Sequence, residues 1–156
     1  MTRKTLGLIA AAGSAALLIG AFGFQFLGYA PCKMCLWQRW PHAAAILFGA
    51  ALLAFGGRVW TLLGALAAFA TGAIGVYHTG VERGFWEGPS SCTGGGTGLS
   101  GLSGADLLST AGSANIVMCD EVAWAMFGLS MASWNALASF ALCALWIAAF
   151  RAPESR

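Results

Sequence analysis

Leu6 to Gly28 is a run of 23 residues without a charged side chain. As a helix, such a run crosses the ~30 Å hydrocarbon core of a bilayer. Ala12, Ala16 and Gly20 recur in it at four-residue spacing, a small-residue stripe that predicts close helix packing. A cleaved signal peptide could begin this way, because Arg3-Lys4 precedes the run and Gly28-Tyr29-Ala30 resembles a small-x-small site. The apolar stretch exceeds the usual ~7–15 residues of such a peptide, however, and further spans follow. Composition agrees with a membrane protein. The chain is 58% hydrophobic and 9% charged, against about 25% charged for a soluble domain. Its net charge of +2 is small and scattered, so no nucleic acid is expected as a partner.

Three more apolar segments follow. The second, Leu36 to Phe55, is the weakest, because it includes Gln38, Arg39 and His42. Arg39 then lies near a helix end, where it can snorkel or face the bundle interior. Gly56-Gly57-Arg58 predicts a tight turn. Trp60 to His78 forms the third segment, with Gly64, Ala68 and Gly72 as a second small stripe, and Ala132 to Phe150 the fourth. The expectation is an all-α, four-transmembrane-helix bundle, a single membrane domain over residues 1–156, with spans near 6–28, 36–55, 60–78 and 132–150. Loops of 29–35 and 80–131 would lie on one face. Arg3, Lys4, Arg58, Arg151 and Arg156 fall on the opposite face from Lys33, Arg39 and Arg83. Basic residues mark the cytoplasmic side, so both termini are placed there and the loops outside. Trp37, Trp40, Trp86, Trp124 and Trp134 cluster near the outer face as an interfacial belt would. Within the long loop, residues 90–98 form a glycine-rich arm, and Leu99 to Leu108 is apolar enough for a short helix lying on the membrane.

Five cysteines are many for so apolar a chain. Cys32 and Cys35 form a C-x-x-C pair in Pro31-Cys32-Lys33-Met34-Cys35, at the edge of the second segment. Such a pair signals redox chemistry or metal ligation. Cys35 sits at the helix N-terminus, where partial positive charge favours an anion. Lys33 and Arg39 add full charges nearby, Arg39 one turn on and on the same face. Each effect lowers a thiol pKa, and the thiolate is the reactive form. Cys92 and Cys119 form a second pair. A structural disulfide there would stabilise the loop by roughly 3–4 kcal/mol in the chain-entropy model. Alternatively, Cys92 beside a glycine run is open to attack by a partner thiol. A zinc site built from all four is disfavoured, because zinc motifs repeat the short pair and 26 residues separate the second one. No metal is expected. Cys143, inside the last segment, reads as an ordinary apolar residue. Cycling disulfides belong to oxidising compartments such as the bacterial periplasm. Four cysteines at an outer membrane face suggest an electron path ending in a lipid-soluble acceptor, since His42 and His78 are too few for a two-haem route.

The motif Pro31-Cys32-Lys33-Met34-Cys35-Leu36-Trp37-Gln38-Arg39, together with Tyr77-His78-Thr79, Cys92, Cys119-Asp120 and Phe127-Gly128-Leu129-Ser130-Met131, resembles the DsbB family of bacterial disulfide-bond-forming membrane proteins. The likeness runs over nearly the whole chain. It implies an inner-membrane enzyme that reoxidises a periplasmic DsbA-type thiol oxidase and passes electrons to a membrane quinone, ubiquinone or menaquinone. Cys92 would be attacked by the partner. Cys119 would pass oxidation from the Cys32–Cys35 pair through a transient Cys32–Cys119 bond, and Cys35 would be the thiolate facing the quinone. Arg39 and His78 would lie at the quinone. Some family members carry a carboxylate before the arginine, where this chain has Gln38; His78 and Glu82, one turn apart, could then supply the proton route. The vitamin K epoxide reductase family is the closest rival, but there the C-x-x-C comes last, after the loop cysteines. A membrane scaffold with inert disulfides is the non-enzymatic alternative.

Overall fold

The structure is a computed structural model describing residues 1–89, 92 and 118–154. The glycine-rich arm, apart from Cys92, and the surface helix expected over 99–108 lie outside the described residues.

Four long helices form where the apolar segments predict them, each beginning before its expected start, while the first ends at Phe26, two residues short of Gly28. They are α1 (Arg3–Phe26), α2 (Lys33–Phe55), α3 (Arg58–Glu82) and α4 (Met131–Arg151). Side-chain caps begin three of them. Thr2 accepts from Thr5 N, Cys32 from Cys35 N and Ser130 from Ser133 N. Each satisfies one of the orphan donors of a first turn. The tight turn between α2 and α3 uses Gly56 and Gly57, with φ of 68° and 89°, a region that glycine enters without steric cost. Before α4, β1 (Ala125–Met126) and β2 (Leu129–Ser130) pair antiparallel as a short hairpin.

The helices pack α1 on α2, α2 on α3, α3 on α4 and α4 on α1, an up-down-up-down bundle with the tight α2–α3 turn at one end. That end also joins the termini. Arg3 N donates to Pro153 O at 3.0 Å, and the buried Arg3 guanidinium pairs with Glu154 at 2.8 Å. Helices α1, α3 and α4 are long and apolar enough to cross a membrane. Only 22% of the most apolar window of α1 is buried within the protein, so most of that helix presents its side chains outward. Helix α2 falls below that mark because Lys33, Gln38, Arg39 and His42 crowd its first three turns.

The core near the termini centres on Trp146 of α4, which is fully buried among Ala10, Leu52, Ala65 and Ala68. A glycine from each of the other helices makes room for it: Gly7, Gly49 and Gly64 all approach the indole. The α3 stripe thus packs as expected, Gly64 against Trp146 and Gly72 against Phe140. The α1 stripe does not. Ala12, Ala16 and Gly20 are exposed, and α1 instead buries Gly7, Ala10, Ala11 and Ser14. Small residues occur on both faces of α1, so spacing alone does not select the packed one. Cys143 is half-buried against the Trp146 core.

Candidate functional site

The opposite end of the bundle gathers four of the five cysteines. Cys32, Met34, Val81, Cys92 and Cys119 form one buried cluster, with Cys35 packed against it. Cys92 and Cys119 are disulfide-bonded with Cα atoms 5.3 Å apart, while Cys32 and Cys35 are free thiols. The fold brings Cys92 there by turning the chain back after α3. Trp86 stacks on Tyr77 and lies over Gly80, donating Nε1–H to Tyr77 O at 2.7 Å. Tyr77 in turn donates its hydroxyl to Glu87 O at 3.0 Å. Cys119 N then donates to Cys92 O at 2.7 Å.

Hydrogen bonds converge on Cys32. Its Sγ caps α2 by accepting from Cys35 N at 3.2 Å, lies 3.0 Å from Cys35 Sγ, and lies 3.4 Å from His78 Nε2. The Cys32 thiol is held well below its usual value. The hydrogen bond from the Cys35 side chain contributes most, burial opposes it, and His78 adds to the lowering. This differs from the expectation of a thiolate at Cys35 supported by Arg39. The Arg39 guanidinium turns to α1 instead, donating to Gln25 Oε1 at 2.8 Å and Ala21 O at 3.3 Å, over the Phe22 ring. The helix N-terminus acts on the capping residue, which is Cys32, one position outside the first turn. Alkylation of the reduced protein checks this. An ordinary thiol with pKa near 8.5 loses roughly 80-fold of its thiolate between pH 8 and pH 6, whereas Cys32 should lose less than about threefold in iodoacetamide rate. Burial slows the absolute rate, so the ratio is the readout. An 80-fold drop would place the anion elsewhere.

A buried polar chain extends from His78 into the bundle. Gln38 Nε2 lies 3.0 Å from His78 Nδ1 and donates to Met34 O at 3.2 Å. Asn135 Nδ2 donates to Gln38 Oε1 at 2.7 Å and to Thr71 Oγ1 at 3.2 Å. His42 Nε2 lies 2.9 Å from Asn135 Oδ1. On the other side of His78, Glu82 Oε1 is 3.8 Å from Nε2, and Ser130 donates its hydroxyl to the Glu82 carboxylate. Of these residues, the sequence pointed to His78 and Glu82. Gln38 stood out only as a departure from a family pattern and His42 only as a polar residue in the second segment. Thr71 and Asn135 carried no signal beyond being polar residues in apolar spans, a rule that marks function by default for ionisable groups.

Beside the cluster lies a cavity of about 270 Å³. Leu17, Ala21 and Phe24 of α1 and Trp124 form apolar walls, and Cys35, Arg39 and His42 line it as well. Arg39 Nε and His42 Nδ1 are buried without hydrogen-bond partners among the described residues. An apolar pocket with a few convergent polar groups is the form of a small-molecule site. A flat apolar ring bearing carbonyl oxygens fits these walls and the unmet Arg39 donor.

A profile of the family described as Disulfide bond formation protein DsbB matches residues 3–149. The chain belongs to the DsbB family. Within it the protein is a membrane disulfide oxidoreductase, a family linked in general to quinones and to a thiol-oxidase partner. No curated protein and no solved structure matches the chain. Metal ligation is the competing use of such a cluster, since the ligand atoms of Cys32, Cys35 and His78 lie within 4.8 Å of one another. The family's chemistry is that of disulfides rather than metal.

Proposed function

We propose that this DsbB-family chain reoxidises a periplasmic DsbA-type dithiol protein and passes two electrons to a membrane quinone, ubiquinone or menaquinone. One observation carries the reading: a disulfide and a free C-x-x-C share one buried cluster at the wall of an apolar cavity. A partner thiolate attacks Cys92, and Cys119 leaves as thiolate. The second partner thiol resolves the mixed disulfide, so the partner departs oxidised and Cys92 and Cys119 are reduced. Cys119 then attacks Cys32 of the Cys32–Cys35 disulfide, and Cys35 leaves. Cys92 attacks the Cys32–Cys119 bond, restoring the loop disulfide and leaving two electrons on Cys32 and Cys35.

A quinone in the cavity supplies a two-electron, two-proton acceptor. Arg39 would donate to its carbonyl oxygen, and the α1 wall would exclude water. Glu82, beside His78, would carry protons from the loop side. The partner's potential sets what the acceptor must be. A DsbA-type partner lies near −120 mV, and transfer to a couple near −200 mV would be uphill by roughly 3.7 kcal/mol, so a more oxidising acceptor is required.

In this reading α2 is a fourth crossing. Its outer face exposes Leu47, Leu53 and Phe55, while Gln38 and His42 turn inward. The protein is then a single four-span domain of the bacterial inner membrane, with both termini cytoplasmic and the cysteine loops periplasmic. The test mixes purified protein, quinone and reduced DsbA-type partner and follows quinone absorbance. Cys92→Ser should lower the rate by at least about 100-fold, since an attacked sulfur cannot be replaced by a hydroxyl. Full-rate turnover by Cys92→Ser would remove the entry point. A Glu82→Gln protein with an unchanged pH profile would remove Glu82 from the proton route.

A further inference from the structure

We infer that Thr71, Asn135 and Gln38 form a ladder of fixed polarity that holds His78 as a neutral ring with its proton on Nε2, facing the Cys32 sulfur. Which nitrogen of a histidine carries the proton is set by the bond the other nitrogen makes. Amide orientation is usually an assignment, because nitrogen and oxygen look alike. Here two backbone carbonyls decide it, since a carbonyl can only accept.

The first anchor is Met34 O, 3.2 Å from the Gln38 amide. The group facing it must donate, so it is Nε2. The same Nε2 lies 3.0 Å from His78 Nδ1. That ring nitrogen therefore accepts and carries no proton. The second anchor is Gln38 O, which receives the Thr71 hydroxyl at 3.1 Å. Thr71 has given its only proton there and can only accept from Asn135, so the Asn135 atom 3.2 Å away is Nδ2. Its other hydrogen goes to Gln38 Oε1 at 2.7 Å. Both anchors give the same orientation independently. Turning the Gln38 amide over would set N–H against N–H at Asn135 and oxygen against oxygen at Met34. An imidazolium at His78 would likewise point Nδ1–H at the Gln38 N–H. The ladder thus selects the neutral ring and leaves Nε2–H as the donor 3.4 Å from Cys32 Sγ.

The same polarity reaches the chain's other histidine. Asn135 Oδ1 faces His42 Nε2 at 2.9 Å and accepts its proton, leaving His42 Nδ1 as a bare acceptor. It also bears on metal binding. Ligation through His78 Nε2 needs the opposite tautomer, with the proton on Nδ1. Gln38, Asn135 and Thr71 are positioning residues, acting on the sulfur through His78. The kinetic consequence rests on the redox reading above; the tautomer does not.

Nitrogen-15 NMR of histidine-labelled full-length protein tests this directly. Both histidines should show a proton on Nε2 and none on Nδ1. Gln38→Glu replaces the donor at His78 by an acceptor and should move the His78 proton to Nδ1, with His42 unchanged as an internal reference. Steady-state kcat should fall roughly tenfold with the KM for the partner unaltered, as for an orienting residue that never touches the partner. Asn135→Leu, which removes the far-end donor, should bring a second His78 signal with the proton on Nδ1. Nδ1–H at His78 in the native protein overturns the ladder and leaves the redox reading intact. A retained Nε2–H signature in both variants overturns it too. Nε2–H in a protein whose cysteines never turn over leaves the ladder standing and removes the redox reading.

Discussion

Cys35→Ala should abolish quinone reduction, with a loss on the order of 10³-fold or more, as expected when a covalent participant is removed. Three features of the site make the effect this large. Cys35 lines the cavity, and its sulfur lies 3.0 Å from that of Cys32. Without it Cys32 cannot form the C-x-x-C disulfide that the loop pair would reduce, so two electrons entering from the loop pair have nowhere to pass. The Cys35 side chain is also the leading cause of the lowered Cys32 thiol, so its removal should restore an ordinary pH dependence to Cys32 alkylation. Cys35 is only half-buried at the first turn of α2, and its replacement leaves the Trp146 core untouched. The protein should therefore still fold and form a mixed disulfide with its partner at Cys92. Quinone absorbance in single-turnover mixing checks the loss. A Cys35→Ala protein that still reduced quinone would sink the electron route.

Gly64→Leu should prevent the bundle from assembling. A methyl built at Gly64 would lie 2.5–2.8 Å from Cε2, Cδ2 and Cε3 of Trp146. The indole cannot retreat, because it is fully buried and bounded on its other sides by Gly7 and Gly49. Overpacking by a methyl alone costs about 1–3 kcal/mol. Leucine adds three more carbons to the same collision. Lipid offers no hydrophobic drive between helices, so close contact is what holds them. Removing the ring acts from the opposite direction, and Trp146→Ala should cost about 3–5 kcal/mol. Denaturant titration in detergent micelles, followed by near-ultraviolet circular dichroism, measures both. Gly20→Leu is the control, because among the described residues nothing lies within 4 Å of a Cβ at that position. Equal loss at Gly20 and Gly64 would show that added bulk on any helix face, not the Trp146 contact, governs the result, since leucine itself favours helix over glycine.

The bundle and the cysteine end were legible in the chain because their signals are local. An uncharged run declares a span by itself, and Gly56-Gly57 declares its own turn. The match of α3's stripe and the failure of α1's mark the limit of that logic. Both have the same spacing, but only Gly64, Ala68 and Gly72 have a bulky partner in α4 to receive. The position of the favoured thiolate was legible only in part. The helix N-terminus and the C-x-x-C were both visible, but not that Cys32 would be the cap and Arg39 would be engaged by Gln25.

The sequence by itself determined four long apolar helical segments, the gathering of four cysteines at one end, and the family. Only the tertiary structure decided which side chains meet. Thr71, Asn135, Gln38 and His78 come from three helices and lie between 7 and 97 positions apart. Their bonds depend on the rotation and depth of each helix against its neighbours. That relation is set by packing at Trp146 and its glycines, and no window of sequence contains it.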